Sequence, residues 1–263
     1  MNIACSTSAY RGSLDDALAS VARMGFTAID LIAIPGWGQL EPARLAEHWE
    51  AEAERVGALL MQHHLTPIAV NLAVGNPHQR DAAVVAQRLR EVAGAARFMQ
   101  RLGIPLASFY PGYRAEDRPW EEVLADSVIS MREMLAVAGA YGVTLAVELH
   151  MFTPFETVAQ GMRLLQELPE LSVAYDPSHY AMQSIDLRDT APFLARAAHV
   201  HLRDAAPEQM MAPVGAGTVD FPWILDTLRA LDYRGNLSIE YLPDLPEVEG
   251  EIMRLREMIA RLV

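Results

Sequence analysis

The stretch HVHLRDA, His199 to Ala205, places two imidazoles, an arginine and an aspartate directly after the apolar segment LARAA. In extended conformation successive side chains alternate between faces, so Val200 and Leu202 share one face while His199, His201 and Arg203 share the other. A strand buried on both faces normally reads as a continuous apolar run. A buried strand with one polar face therefore needs a setting that uses the polarity. The inside of a (β/α)8 barrel is such a setting, because catalytic groups there come from the C-terminal ends of the strands.

The rest of the chain repeats the same rhythm. Strand candidates NIACSTS, FTAIDLIA, TPIAVNLA, IPLASFY, VTLAVELH, LSVAYD, AHVHLR and NLSIEYL alternate with helical patterns. The helices are predicted to begin near Leu14, Pro42, His78, Pro119, Phe155, Leu187, Pro222 and Glu247. Eight strand–helix units in 263 residues match an α/β protein of the (β/α)8 TIM barrel type. A doubly wound sheet would need a glycine loop at its switch point, and the G-x-G at Gly215 and Gly217 has no third glycine. No linker or composition break divides the chain, which predicts one domain over residues 1–263.

Composition removes several function classes. The chain has 21 basic residues, all arginine, so aldolases, pyridoxal-phosphate enzymes and P-loop NTPases that depend on a lysine amine are excluded. A net charge of −13 with no basic tract argues against a nucleic-acid partner. One cysteine, Cys5, rules out an internal disulfide and fits a reducing compartment. The N-terminal residues lack a signal-peptide pattern, and no apolar run approaches the roughly 18 residues that span a bilayer. A soluble cytoplasmic protein with no membrane partner is expected; a homo-oligomer stays open.

Applying the two-residue alternation to the last four strands gives one cavity. Leu145, Val147 and Leu149 face the helices, leaving Glu148 and His150 inward; Val173 and Tyr175 leave Asp176 inward; Leu237, Ile239 and Tyr241 leave Glu240 inward. Glu148, Asp176, His201 and Glu240 stand 28, 25 and 39 residues apart, each about one βα repeat. Three inward carboxylates need a compensating charge, and there is no lysine to provide it. A divalent cation on three carboxylates and one imidazole would provide it, with Mn²⁺ the first expectation and Mg²⁺, Co²⁺ or Zn²⁺ as alternatives. His199, deeper on the strand than His201, reads as a core histidine, and Asp204 as a cap on the following loop.

The segments VELH, DPSHY, HVHLRDA and SIEY, with GFTAIDL near the start, resemble the sugar phosphate isomerase/epimerase family of xylose isomerase-like TIM barrels over essentially the whole chain. The resemblance implies one divalent-metal site on Glu148, Asp176, His201 and Glu240, and a substrate contact or supporting role for His179. Arg203, expected as a further substrate contact, stands where that family often carries lysine. The substrate walls are expected from Trp37, Asn71, Tyr110, Tyr113 and Phe152. The chemistry implied is isomerisation or epimerisation of a small carbohydrate, a ketose or hydroxy-ketone. Glu148 and Glu240 would be the catalytic pair: one removes a proton beside the carbonyl and the other returns it to the enediolate. A keto-polyol dehydratase of the inosose type uses the same first step and ranks second. An abasic-site endonuclease ranks lower because of the acidic charge, as does a barrel without catalytic activity because its ligand set is intact.

Overall fold

In the computed structural model, which describes residues 1–263, eight parallel strands close into a barrel in chain order. The strands are β1 (Asn2–Ser6), β2 (Ala28–Ala33), β3 (Thr66–Leu72), β4 (Leu106–Phe109), β5 (Thr144–Glu148), β6 (Ser172–Tyr175), β7 (Ala197–Leu202) and β8 (Asn236–Ile239). The main helices between and after them are α1 (Leu14–Arg23), α2 (Pro42–His63), α3 (Ala82–Leu102), α4 (Trp120–Gly139) and α5 (Val158–Glu167). The short α6 (Ser178–Met182) and α7 (Ala191–Leu194) precede β7, and α8 (Phe221–Ala230) and α9 (Val248–Leu262) flank β8. No helix is long and apolar enough to cross a membrane.

Local chemistry sets the helix starts. Ser13 caps α1 by accepting the Asp16 N–H at 3.1 Å, and Thr157 with Gln160 forms a reciprocal capping box on α5. The third helix differs from expectation: it begins at Ala82, after the cap residue Asp81, not near His78. The carboxylate of Asp81 accepts the N–H groups of Ala83 and Val84, whereas His78 is buried in the preceding loop. Helices α2 and α3 meet at Gly94, where a Cβ would sit 2.4 Å from the carbonyl oxygen of Leu45. Any side chain there would force the two helices apart.

The main core lies between the strands' outer faces and the helices and includes Phe109, Val147, Tyr175, Leu202 and Ile239, each at most 0% exposed. Burying each such side chain contributes about 1.5–3 kcal/mol. Inside the barrel the lower layer is small and apolar: Ala69, Leu106, Ala146 and Ala174, with Ile68 and Ala198 against them. Polar side chains begin one layer above. Two register shifts interrupt the otherwise regular ladders, one between Ile29 and Asp30 against β3, the other between Val173 and Ala174 against β7.

Candidate metal centre and active site

Strand alternation delivers the four charged residues to one point. Glu148 ends β5, Asp176 follows β6, His201 lies on β7 and Glu240 follows β8, and a ligand atom from each lies within 4.8 Å of the others. All four are buried. The Nδ1 of His201 sits between the two glutamates, 2.9 Å from Glu148 Oε1 and 3.2 Å from Glu240 Oε2. The other oxygen of Glu240 accepts from Asn71 Nδ2 at 3.1 Å.

Arg203 supplies a compensating charge that the count of lysines does not reveal. Its guanidinium is 3% exposed and donates to Asp176 Oδ2 at 2.6 Å and to Ser178 Oγ at 2.7 Å. Three carboxylates against one guanidinium still leave two negative charges in a buried site, the charge of one divalent cation. Three carboxylate oxygens and one imidazole nitrogen suit Mn²⁺, Mg²⁺, Co²⁺ or Zn²⁺, so the residues present fit such an ion.

The electrostatics of the metal-free site are uneven. Burial raises the pKa of Glu240, with the Glu148 charge adding to the rise. Burial opposes charge on Glu148 too, but His201 and His179 beside it hold its pKa well below the ordinary carboxylate value. For His201, burial opposes the charged form; Glu240, Glu148 and Asp30 outweigh it and raise the pKa well above the ordinary imidazole value.

Above these groups opens a cavity of about 210 Å³, floored by Glu148, Glu240 and Arg203 and walled by Trp37, Asn71, Tyr110 and Tyr113. Trp37 is held rigidly: its indole N–H donates to the Tyr10 carbonyl at 3.0 Å and Arg11 stacks over its ring at 4.3 Å. Phe152 and His179 lie off the cavity lining. Phe152 is 54% exposed and has a φ of 64°, which turns its ring out of the cavity and against Arg114. His179 is buried one layer back in the supporting role, its Nε2 3.2 Å from the Arg203 guanidinium and 3.5 Å from Asp176, while the His150 ring, tilted against it at 3.6 Å, lies on the cavity wall. On the same loop, Glu156 accepts from Arg114 and from the backbone N–H of Phe152. Asp204 does cap its loop: its two oxygens accept the N–H groups of Ala205, Gly215, Gly217 and Val219.

Two residues in the site went unassigned at the sequence level. His150 shares the inward face of β5, and burial pushes its pKa down to about 3, so its ring is neutral. Its Nδ1 lies 2.5 Å from the Met151 carbonyl, which can only accept, and this leaves Nε2 as an acceptor. Asp30 on β2 reaches both histidines of β7, with its Oδ2 2.8 Å from His199 Nε2 and 3.1 Å from His201 Nε2. The same alternation rule would have found it, since Ile29, Leu31 and Ala33 of FTAIDLIA join the outer core and leave Asp30 inward.

Among solved structures, D-allulose 3-epimerase from Methylomonas sp., in complex with D-allulose, superposes with a TM-score of 0.78 at 19% identity, covering 100% of this chain and 97% of that one. The 3-keto-D-glucoside 4-epimerase of E. coli gives a TM-score of 0.78 at 16% identity over 99% of both chains. A protein named IOLI, with a bound zinc atom, gives 0.75 at 20% identity over 100% of this chain and 98% of its own. These identities establish a shared fold. An inosose dehydratase of Halalkalibacterium halodurans is 30% identical over 131 residues, which are 42% of this chain and 43% of that protein, so the match spans less than half of the relative's length. The family model for xylose isomerase-like TIM barrels matches residues 18–259, and the chain belongs to that family.

Proposed function

We propose that this protein is a divalent-metal-dependent isomerase or epimerase of small, unphosphorylated keto sugars. The observation that carries the reading is the pair Glu148 and Glu240, two carboxylates that floor one cavity from either side of His201 Nδ1. Glu148, Asp176, His201 and Glu240 would hold the ion, which when bound polarises the substrate's carbonyl and adjacent hydroxyl oxygens. One glutamate removes the proton beside the carbonyl, and the planar enediolate that results presents its opposite face to the other. Return to the same carbon gives an epimer; return to the neighbouring carbon gives an isomer. His150 Nε2 and the amide of Asn71 orient hydroxyls, while Trp37 and Tyr110 cover the apolar face of the sugar and exclude water.

The absence of a phosphate comes from the cations. Arg203 is the one cationic residue of the cavity lining, and Asp176 and Ser178 already occupy its guanidinium. Arg114 is paired with Glu156, Arg188 with Asp220, and Arg11 lies on the indole of Trp37. Apart from Arg203, none of these guanidiniums lines the cavity.

Dehydration of a keto-inositol is a second reading, favoured by the partial identity to inosose dehydratase. It shares the first proton transfer and then expels a β-hydroxyl. Incubation with Mn²⁺ and a panel of ketoses and keto-inositols in D₂O separates the two. Deuterium beside the carbonyl in a product of unchanged composition supports isomerisation, and a product lighter by one water supports dehydration. Turnover without solvent deuterium in either product overturns the two-glutamate mechanism.

A further inference from the structure

We propose that Asp30 is a positioning residue that holds the His201 ring with Nε2 protonated and Nδ1 free for the metal, and that His199 braces Asp30 from deeper in the barrel. The inference rests on the metal-site reading above and adds the device that prepares the ligand.

The geometry is specific. A carboxylate only accepts, so the 2.8 Å and 3.1 Å contacts to a single oxygen of Asp30 require a proton on Nε2 of both His199 and His201. An imidazole that ligates through Nδ1 retains one proton, on Nε2, and in a fully buried position that N–H needs an acceptor. Asp30 is that acceptor, and it comes from β2, separated from β7 by β8 and β1 in the closed barrel. The interaction therefore spans the interior and fixes the ring's plane as well as its tautomer.

The backbone is adapted for it at both ends. The register shift against β3 falls between Ile29 and Asp30, and the shift against β7 falls just before His199, where Ala174 pairs with His199 and Ala198 is the additional residue. Bulges beside active sites commonly re-aim a side chain or reset a register. Here the two irregularities in the ladder adjoin Asp30, which meets the His201 ring, and His199, which meets Asp30.

Asp30, His199 and His201 also bring ligand atoms within 4.8 Å of one another, the spacing of a metal pocket. The chemistry favours hydrogen bonds. An ion there together with one at Nδ1 would require His201 to surrender both ring protons and bridge as an imidazolate. The three residues are 0%, 2% and 0% exposed, which leaves no face for a water ligand to complete the coordination.

The test is metal binding by the chelator-stripped protein, read by titration with Mn²⁺ alone, with thermal unfolding of the metal-free form measured in parallel. Wild-type protein should bind one ion per chain. Asp30→Asn should keep that stoichiometry and lose about 10- to 100-fold in affinity, and His199→Asn should lose less than about tenfold on the same scale. Affinity unchanged in Asp30→Asn overturns the inference, as does a wild-type stoichiometry of two that falls to one in that variant. No binding by wild-type protein would instead overturn the metal-site reading beneath it. A readout that needs no variant at Asp30 is the histidine ¹H–¹⁵N spectrum of Zn²⁺-loaded wild-type protein, with His201 assigned by its own substitution. A protonated, hydrogen-bonded Nε2 on His201 is expected, and a bare Nε2 would refute the proposal even if Asp30→Asn does not fold.

Discussion

Strands β5 to β8 end in Glu148, Asp176, His201 with Arg203, and Glu240, whereas β2 to β4 present Ile32, Asn71 and Tyr110 to the same cavity. One half of the barrel mouth is charged and buried; the other is neutral and shaped. Clustering the charges on neighbouring strands lets them compensate each other at hydrogen-bond distance, as Arg203 does for Asp176 at 2.6 Å. The neutral half needs no such partners and is free to vary in size and contour. The exception is Asp30, the one carboxylate that β2 sends across to the charged half, and it lies below the cavity rather than on its wall.

The largest expected effect tests the charged half. Glu148→Gln or Glu240→Gln should each lower kcat by more than about 10⁴-fold, beyond the roughly 10²–10⁴ of general-base loss because a charged ligand disappears as well. Deuterium incorporation from D₂O should fall with it. Full turnover in both variants would erase the distinction between the halves.

Next comes the metal. Chelation should abolish turnover and Mn²⁺ should restore it. His201→Ala should then lose more than about a hundredfold in metal affinity, exceeding the loss typical of an outer-shell partner. His199→Ala should chiefly cost stability, about 1–3 kcal/mol from the lost hydrogen bond to the buried Asp30 carboxylate, which keeps only His201 as partner. The reverse ranking, measured by metal titration and chemical denaturation, would mean that the inner histidine is the ligand.

Substitutions outside the charged cluster should be milder. Asp204→Ala strands four backbone N–H groups of the β7–α8 loop, at a cost of about 3 kcal/mol in denaturant unfolding, with one-ion stoichiometry retained. Trp37→Ala should raise KM by up to about tenfold with kcat little changed, the pattern of lost uniform binding. A comparable fall in kcat would give the neutral wall a part in the chemistry. Phe152→Ala should alter stability by less than about 0.5 kcal/mol and leave KM unchanged, because the ring faces solvent and Arg114.

What was legible in the chain, and what was not, follows from the range of the forces involved. Alternation along a strand is local, so the inward sets of β5 to β8 and the eightfold repeat could be read before any contact was known. The four clustered ligand atoms come from residues that this rule had put on one face. Asp30 obeyed the same rule but stood alone in an apolar segment, and its partners are 169 and 171 residues away in sequence. No local pattern signals such a pair.

By itself, then, the sequence determined the barrel, its polar mouth and the absence of any lysine from its chemistry, since strand period, helix caps and composition act within a few residues. Closure of the sheet decided the rest. It placed His150 over His179, turned Phe152 outward at a left-handed backbone position, engaged Arg203 with Asp176, and brought Asp30 under His201. Those outcomes depend on the register between strands and on two shifts in it. Register is set by how whole faces pack against one another, and a side chain's neighbours across a barrel are known only once the ring is closed.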